Sequence, residues 1–266
     1  MLLFKREFKR NLKGLIIWTA VIGGLILLIL AIYPQFAKDQ EKLNAMLQAY
    51  PESMTKAFGM DKLSFGTVLG FYAVEGYLMI TLFGSIYAVM LASNILSKEA
   101  NEKTIEFLLS KPISRVQIIT QKLLAIVTNL VILNVIIAIV NLIGFSFSKN
   151  NQVEAKTFLL ISIAPFILQL TFAAVAFLIS CIVKKSRSIF SISLAIVFVT
   201  YFFSIISGIS DKYKNLKYIS PFKYVDAADV ITTKEIRPLY VIIMAAVILI
   251  SLVASYILYE KKDITV

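Results

Sequence analysis

The residues of this chain that could do chemistry are few. Its 266 residues include no histidine and one cysteine, Cys181, which lies inside an apolar run and which we interpret as a packing residue. Histidine-ligated metal sites and catalysis by Ser-His or Cys-His pairs are therefore excluded. None of the 10 glycines belongs to a GxxxxGK[ST] loop, so ATP binding of the P-loop kind is excluded as well. We predict no catalytic, cofactor or metal site on this chain.

One carboxylate stands apart, because Glu75 is the only charged residue in the long apolar segments. Carboxylates inside membrane spans often serve ion coupling, so an ion-coupled carrier centred on Glu75 is one hypothesis for this chain. Glu75 lies beside Tyr72 and Tyr77, near one end of its segment. That position favours a helix end that interfacial water reaches over a proton relay.

Mildly polar side chains form two rows within the apolar segments. The spacing of each row places its members on one face of a helix. The two rows, which are candidates for lining a substrate path, consist of Asn134 and Asn141 and of Ser193, Thr200, Ser204 and Ser207. The alternative is that these groups form hydrogen bonds between helices, which is the commoner role of such residues.

Six long apolar segments must position these residues. The chain is 59% hydrophobic and 16% charged, with a mean hydropathy of +0.82, which is the composition of an integral membrane protein. Crossing a bilayer takes about 20 helical residues, and only helices satisfy the backbone of such runs in lipid. The segments are residues 15–33, 71–96, 123–145, 157–183, 188–208 and 239–259. We predict an all-α fold with six transmembrane helices in one domain, 1–266.

The charge distribution predicts the orientation. The net charge is +11, and Lys5, Arg6, Lys9 and Arg10 precede the first span. The positive-inside rule then predicts an uncleaved signal anchor with both termini in the cytoplasm. The basic residues suit anionic membrane lipids, so we expect no nucleic-acid partner. The longest segment outside the spans, 34–70, is too short for an enzyme domain, and the sequence does not show whether it gates an exit.

The cytoplasmic segment between the second and third spans, residues 97–122, is the most informative stretch, and we call it the elbow. Glu99 and Lys103 are placed to pair on one helix face, and Ile105 begins a short apolar edge. Pro112 ends this helix, and Ser114 is placed to cap the helix that continues into the third span. Composition alone would also suit a linker at the membrane surface that merely joins two spans.

The elbow resembles a segment of the membrane subunits of type-2 ATP-binding cassette (ABC) exporters. That family carries the pattern E-x-x-x-G-T-[LI]-E-x-L-L-x-x-P-[VI]-S-R, followed by a Lys that opens the third span. The matching residues here are Glu99, Thr104, Ile105, Glu106, Leu108, Leu109, Pro112, Ile113, Ser114, Arg115 and Lys122. The sequence departs from the pattern at Lys103 and at Gln121, where the family often has Gly. Weaker matches at 50–59, 219–224 and 259–263 extend the resemblance to nearly the whole length.

The resemblance implies that the elbow is a coupling helix seated on a separate ATPase subunit. Two ATPase copies, holding ATP and Mg²⁺, would then serve this chain and a second permease, in a homodimer or a heterodimer. The residues that the resemblance places against the ATPase are Glu99, Glu102, Lys103, Thr104, Glu106, Phe107 and Arg115. It also implies an amphipathic interfacial helix at residues 4–10, before the first span.

On this basis we expect a permease, not an enzyme, in the plasma membrane of a bacterium. It would export a hydrophobic or amphipathic substrate, such as a peptide, a lipid or a drug, because the spans contain little charge. A competing class is an immunity or sensor protein that does not transport but releases a bound toxin from the membrane.

Overall fold

The computed structural model of the chain describes residues 2–38, 49–64, 66–101, 113–147, 153–183 and 186–261, and within these it is helical, without strands. The helices are α1 (Leu2–Lys38), α2 (Glu52–Ala57), α3 (68–101), α4 (Arg115–Phe145), α5 (Ala155–Ile182), α6 (Ser186–Ile209), α7 (Pro221–Tyr224), α8 (Ala227–Thr233) and α9 (Pro238–Lys261), with a 3₁₀ helix at Asp211–Tyr218.

Six of these helices, α1, α3, α4, α5, α6 and α9, are long and apolar enough to cross a membrane. The all-α fold and the six spans are therefore confirmed. Helical hydrogen bonding runs through α3 with two π turns, at Tyr72–Gly76 and Met79–Phe83.

The N-terminal basic segment, for which the resemblance implies an interfacial helix, is helical, and its position at the membrane interface stays a prediction. It forms the first turns of α1, which continues without a break into the first span. No proline lies between residue 4 and the span, so nothing interrupts the helical hydrogen bonds. The cations of residues 5–10 are thus rigidly connected to the first span.

The start of α4 confirms the sequence prediction of a cap at Ser114. The hydroxyl of Ser114 accepts a hydrogen bond from the backbone N–H of Gln117, and the Gln117 side chain accepts one from the N–H of Ser114, both at 3.2 Å. This capping box fixes where α4 begins. The remainder of the elbow from residue 102 to residue 112, including Pro112, lies outside the described residues.

Helix α3 lies at the centre of the bundle. Of its apolar 18-residue stretch, 61% is buried inside the protein, whereas only 17% is buried in the corresponding stretches of α6 and α9. Helix α1 packs closely on α4, where a Cβ at Gly144 would lie 2.2 Å from the Leu30 side chain. A chain whose outer spans bury so little of their apolar surface needs lipid or another membrane protein around it.

The bundle has two different ends. The elbow end brings together the start of α1, the end of α3, the start of α4 and the end of α9. The opposite end, here the loop end, is covered by α2, the 3₁₀ helix, α7 and α8. There Tyr77 donates to the carbonyl of Val225 at 2.9 Å, and Lys62 pairs with Asp229 at 2.7 Å.

Candidate functional site

A buried ion pair lies at the elbow end. The ammonium of Lys122, two turns into α4, donates a hydrogen bond to the carbonyl of Ile95 in α3 and lies 3.6 Å from a carboxylate oxygen of Glu7 in α1. Both charged side chains are at most 1% exposed. Removing each charge from water costs several kcal/mol, and the close partner and the carbonyl offset about that much. Loss of either residue would therefore leave the other charge buried without its partner, at a cost in stability.

A second contact strengthens the attachment of α1 to α4. The side-chain oxygen of Gln121 accepts a hydrogen bond from the backbone N–H of Phe4 at 3.1 Å. The first amides of a helix have no partner within that helix, so Gln121 satisfies one of them. Gln121 is a position at which the sequence departs from the pattern it resembles, and the departure here supplies a contact.

Arg115 ties the start of α4 to the end of α9. Its guanidinium donates hydrogen bonds to the carbonyls of Tyr259 at 3.3 Å and Glu260 at 2.9 Å. These are among the last carbonyls of α9, which lack helical partners, and a cation there also favours the helix dipole. One turn further along α4, the hydroxyls of Thr120 and Tyr256 lie 2.8 Å apart in a hydrogen bond.

These contacts form one structural unit, which we call the junction: Glu7, Ile95, Arg115, Gln121 and Lys122, together with the end of α9. The elbow begins in the last turns of α3 and ends in the first turns of α4, so both of its ends lie at the junction. Any displacement of the elbow therefore acts on α1, α3, α4 and α9 at one place.

The structure can be compared with the predicted ATPase contacts only in part. Arg115 contacts α9, as described. Glu99 lies in the last turns of α3, and only its backbone is described. The other residues of that set lie outside the described residues: Glu102, Lys103, Thr104, Glu106 and Phe107. Contact of this set with an ATPase stays a prediction.

A series of polar contacts continues from the junction along the interface of α3 and α4, and we call it the polar ladder. Its four pairs are Lys122 with Ile95, Asn129 with Tyr87, Asn134 with Ile80 through Gln169, and Asn141 with Tyr72. The distances within the last three pairs are 2.7 to 3.3 Å. The ladder runs through the membrane-spanning length of both helices and holds them together where the apolar surroundings offer no other partners.

The contact through Gln169 of α5 depends on a glycine. The amide nitrogen of Gln169 donates to the carbonyl of Ile80, inside the second π turn of α3, at 3.2 Å. A Cβ at Gly84 would lie 2.3 Å from that nitrogen, so only glycine admits the Gln169 side chain. A side chain inserted against a helix in this way is a recognised cause of local irregularity, and π turns are often found at functional positions.

The candidate path residues of α4 lie in the polar ladder. Asn134 donates to Gln169 and Asn141 donates to the Tyr72 hydroxyl, so both make the interhelical hydrogen bonds that the alternative interpretation predicts. The side-chain oxygen of each asparagine has no hydrogen-bond partner among the residues that the structure describes. Whether either residue also lines a substrate path stays a prediction.

The candidate path residues of α6 have different surroundings. Ser193 is 2% exposed, and its hydroxyl has no hydrogen-bond partner in the described part of the chain. The hydroxyls of Thr200 and Ser207 bond to carbonyls of α6 itself, at 2.7 Å from Ile196 and 2.7 Å from Ser204.

Ser204 lines a cavity of about 90 Å³ between α3 and α6 near the loop end. Tyr77 and Thr81 of α3 and Tyr201 of α6 contribute to its wall, and residues of α7, α8 and the α2 region close it. A space of this size holds a few water molecules, each of which takes about 30 Å³ in the liquid. In this conformation the cavity is too small for a peptide, a lipid or a drug.

Glu75 is exposed on the surface of α3, within the first π turn. The interpretation of Glu75 as a helix end that water reaches, and the ion-coupled alternative, both stay predictions. Within the described ranges, no group of three or more Cys, Asp or Glu residues is arranged to hold a metal ion.

The junction was only partly visible in the sequence. Lys122 was marked by the resemblance, but its partner Glu7 was not identified. The available signal was that Glu7 is the one acidic residue in the basic stretch 1–13. Gln169 was not identified either, because nothing local to α5 indicates that its amide reaches a carbonyl of α3.

A family model described as "ABC-2 family transporter protein" matches residues 1–264, which include the junction, the polar ladder and all six spans. No curated protein matches the chain.

Proposed function

Since the chain belongs to the ABC-2 family of transporters and is therefore a transmembrane subunit of an ABC transporter, we propose that it exports a hydrophobic or amphipathic substrate, using ATP hydrolysed by a separate ATPase subunit. The observation that supports this proposal most strongly is the junction. It connects the elbow to α1, α3, α4 and α9 through buried or capped polar contacts.

The mechanism follows from the way α4 begins. The capping box at Ser114 starts α4 inside the elbow, and Lys122, two turns later, holds α4 against α1 and α3. A movement that ATP binding imposes on the elbow is then transmitted to these helices as a rigid-body shift. The polar ladder carries the same shift along α3 and α4 toward the cavity at the loop end.

The substrate class is supported by the side chains between α3 and α6. The groups that these two helices contribute to the cavity, among them Thr81 and Ser204, are uncharged hydroxyls and apolar side chains, and the carboxylate of Asp226 in the same wall is paired with Lys223. Such a lining suits a substrate with apolar area and a few polar groups, and we slightly prefer a peptide over a lipid or a drug. Export requires this closed cavity to widen.

The partners follow from the family and from the exposed spans. We propose two ATPase copies, which hold ATP and Mg²⁺, and a second permease chain, identical or different. The apolar faces of α6 and α9 are largely uncovered, which suits contact with that second chain and with lipid. The location that we propose is the plasma membrane of a bacterium.

The test of this proposal is co-purification in mild detergent with ABC ATPases encoded beside the gene. We expect the native chain to retain an ATPase, and the variant Glu102→Lys/Glu106→Lys to lose it while eluting as a monodisperse protein. The variant Lys9→Glu, which changes an exposed charge elsewhere at the same end, is the matched control and should retain the ATPase. Absence of any bound ATPase with the native chain would contradict the proposal.

A further inference from the structure

The 3₁₀ helix at Asp211–Tyr218 has an unusual distribution of side chains. In such a helix residues three apart lie on one face. Tyr213, Leu216 and Ile219 share one face, on which Tyr213 is 46% and Ile219 is 59% exposed. Lys214 and Lys217 share the next face. A short helix at a protein surface thus presents apolar and basic side chains next to each other.

This helix is held firmly against the end of a membrane span. It starts directly after α6, where the hydroxyl of Ser210 caps it by accepting from the N–H of Lys212. At its other end the Ser220 hydroxyl donates to the carbonyl of Thr200 in α6 at 2.6 Å, and the Tyr224 hydroxyl donates to the carbonyl of Tyr218. The helix therefore starts at the end of α6 and runs back along it to Thr200, which lies about 14 Å before that end at about 1.5 Å per residue.

The lysines of this helix differ from other lysines at the loop end in the ion pairs they form within the described part of the chain. Four other lysines at the loop end have carboxylate partners: Lys56 with Glu52, Lys62 with Asp229, Lys223 with Asp226 and Lys234 with Glu154. Lys212, Lys214 and Lys217 form no ion pair with the residues that the structure describes. The ammonium of Lys217 instead lies 4.9 Å from the ring centroid of Tyr218, which is itself 50% exposed.

We propose that this helix and Ile219 form a binding surface for the headgroups of anionic phospholipids in the leaflet at the loop end. Aromatic rings and lysines side by side are typical of protein surfaces at headgroup level. Helix α6 also exposes Phe202 and Ile209 immediately before this surface, so apolar contact continues into the membrane. In water the apolar side chains of Tyr213 and Ile219 would have nothing to pack against. The glycerol region of a bilayer, by contrast, accommodates both the apolar and the basic face of the helix.

The proposal predicts a local preference for anionic lipid. Each lysine near an anionic surface contributes a factor of roughly five in affinity, reduced by salt. We therefore expect phosphatidylglycerol beside this helix to be enriched about fivefold or more over phosphatidylcholine. This surface lies at the other end of the molecule from the junction, and its test does not depend on the substrate or on the direction of transport.

The experiment measures lipid composition beside one residue. Asn215, which is exposed in the middle of the helix, is replaced by cysteine in a Cys181→Ala background and labelled with a small fluorophore. The full chain is placed in phosphatidylcholine nanodiscs that contain a small fraction of headgroup-nitroxide lipid, either phosphatidylglycerol or phosphatidylcholine. The ratio of quenching by the two nitroxide lipids reports the local enrichment.

We expect the phosphatidylglycerol nitroxide to quench several-fold more strongly in the native background, and high salt to reduce that excess. The variant Lys212→Gln/Lys214→Gln/Lys217→Gln should bring the ratio close to one, and the charge-preserving variant with three arginines should keep it. Equal quenching by both lipids in the native background would overturn the proposal. Quenching by neither would also overturn it, and would show that the helix stands clear of the bilayer and suits a protein partner instead. Monodisperse elution of each variant excludes misfolding as the cause.

Discussion

Removing the carboxylate of Glu7 tests the junction most sharply. In the variant Glu7→Gln, Lys122 stays buried with its ammonium, which loses the carboxylate and retains the carbonyl of Ile95. Breaking one side of a buried ion pair costs about 3–5 kcal/mol. At about 2–4 °C per kcal/mol for a chain of this size, we expect the midpoint of thermal unfolding in detergent to fall by roughly 6–20 °C.

The double variant Glu7→Gln/Lys122→Met separates pairing from packing. It removes both charges and keeps most of the side-chain volume, so its stability should lie within about 1 kcal/mol of the native chain. The variant Lys9→Met, which removes an exposed cation from the same helix, should change stability by less than about 0.5 kcal/mol. The assay is fluorescence-detected size-exclusion chromatography after heating. The pair does not hold the junction if Glu7→Gln is as stable as the native chain. The same follows if the double variant loses as much stability as Glu7→Gln and Lys122→Met lose together as single variants.

Three further outcomes follow from the structure. Gly84→Ala should destabilise the chain by about 1–3 kcal/mol, because the new Cβ meets the Gln169 amide, whereas the same substitution in a Gln169→Ala background should cost little in the same heating assay. Arg115→Met should expose the end of α9 to limited proteolysis, while the native chain resists. The hydrogen bond with Asp229 raises the pKa of Lys62. The small contribution of this pair to stability should therefore persist through neutral pH and be lost only as the pH rises through the elevated pKa. Thermal unfolding midpoints between pH 7 and pH 11 check this.

The six spans could be predicted because hydrophobic length is a local property of the sequence. Lipid satisfies no backbone group, so a run such as 123–145 has to be helical whatever surrounds it. The cap at Ser114 was predictable for the same reason, since Ser114 and Gln117 lie within one turn.

The contacts of the candidate site are not local, and this is why they could not be predicted from the sequence. Glu7 and Lys122 meet only because α1 packs along α4, and Gln169 reaches α3 only because Gly84 lacks a side chain.

The two polar rows show that one sequence pattern can serve different roles in the folded protein. Helical spacing correctly put Asn134 and Asn141 on one face of α4, but two roles share that spacing. The structure shows hydrogen bonds to Gln169 and Tyr72, and Asn134 also lines an apolar pocket between α4 and α5. Only a functional measurement distinguishes a packing contact from one that a substrate also uses.

Transport into inverted membrane vesicles tests the central claim most directly. Vesicles containing the chain and its ATPase should accumulate a fluorescent amphipathic peptide when ATP is supplied, and the variant Glu102→Lys/Glu106→Lys should abolish this accumulation. Accumulation that needs no ATP, follows an ion gradient and is lost in Glu75→Gln would contradict the account. So would release of a bound peptide from the membrane without its appearance inside the vesicles.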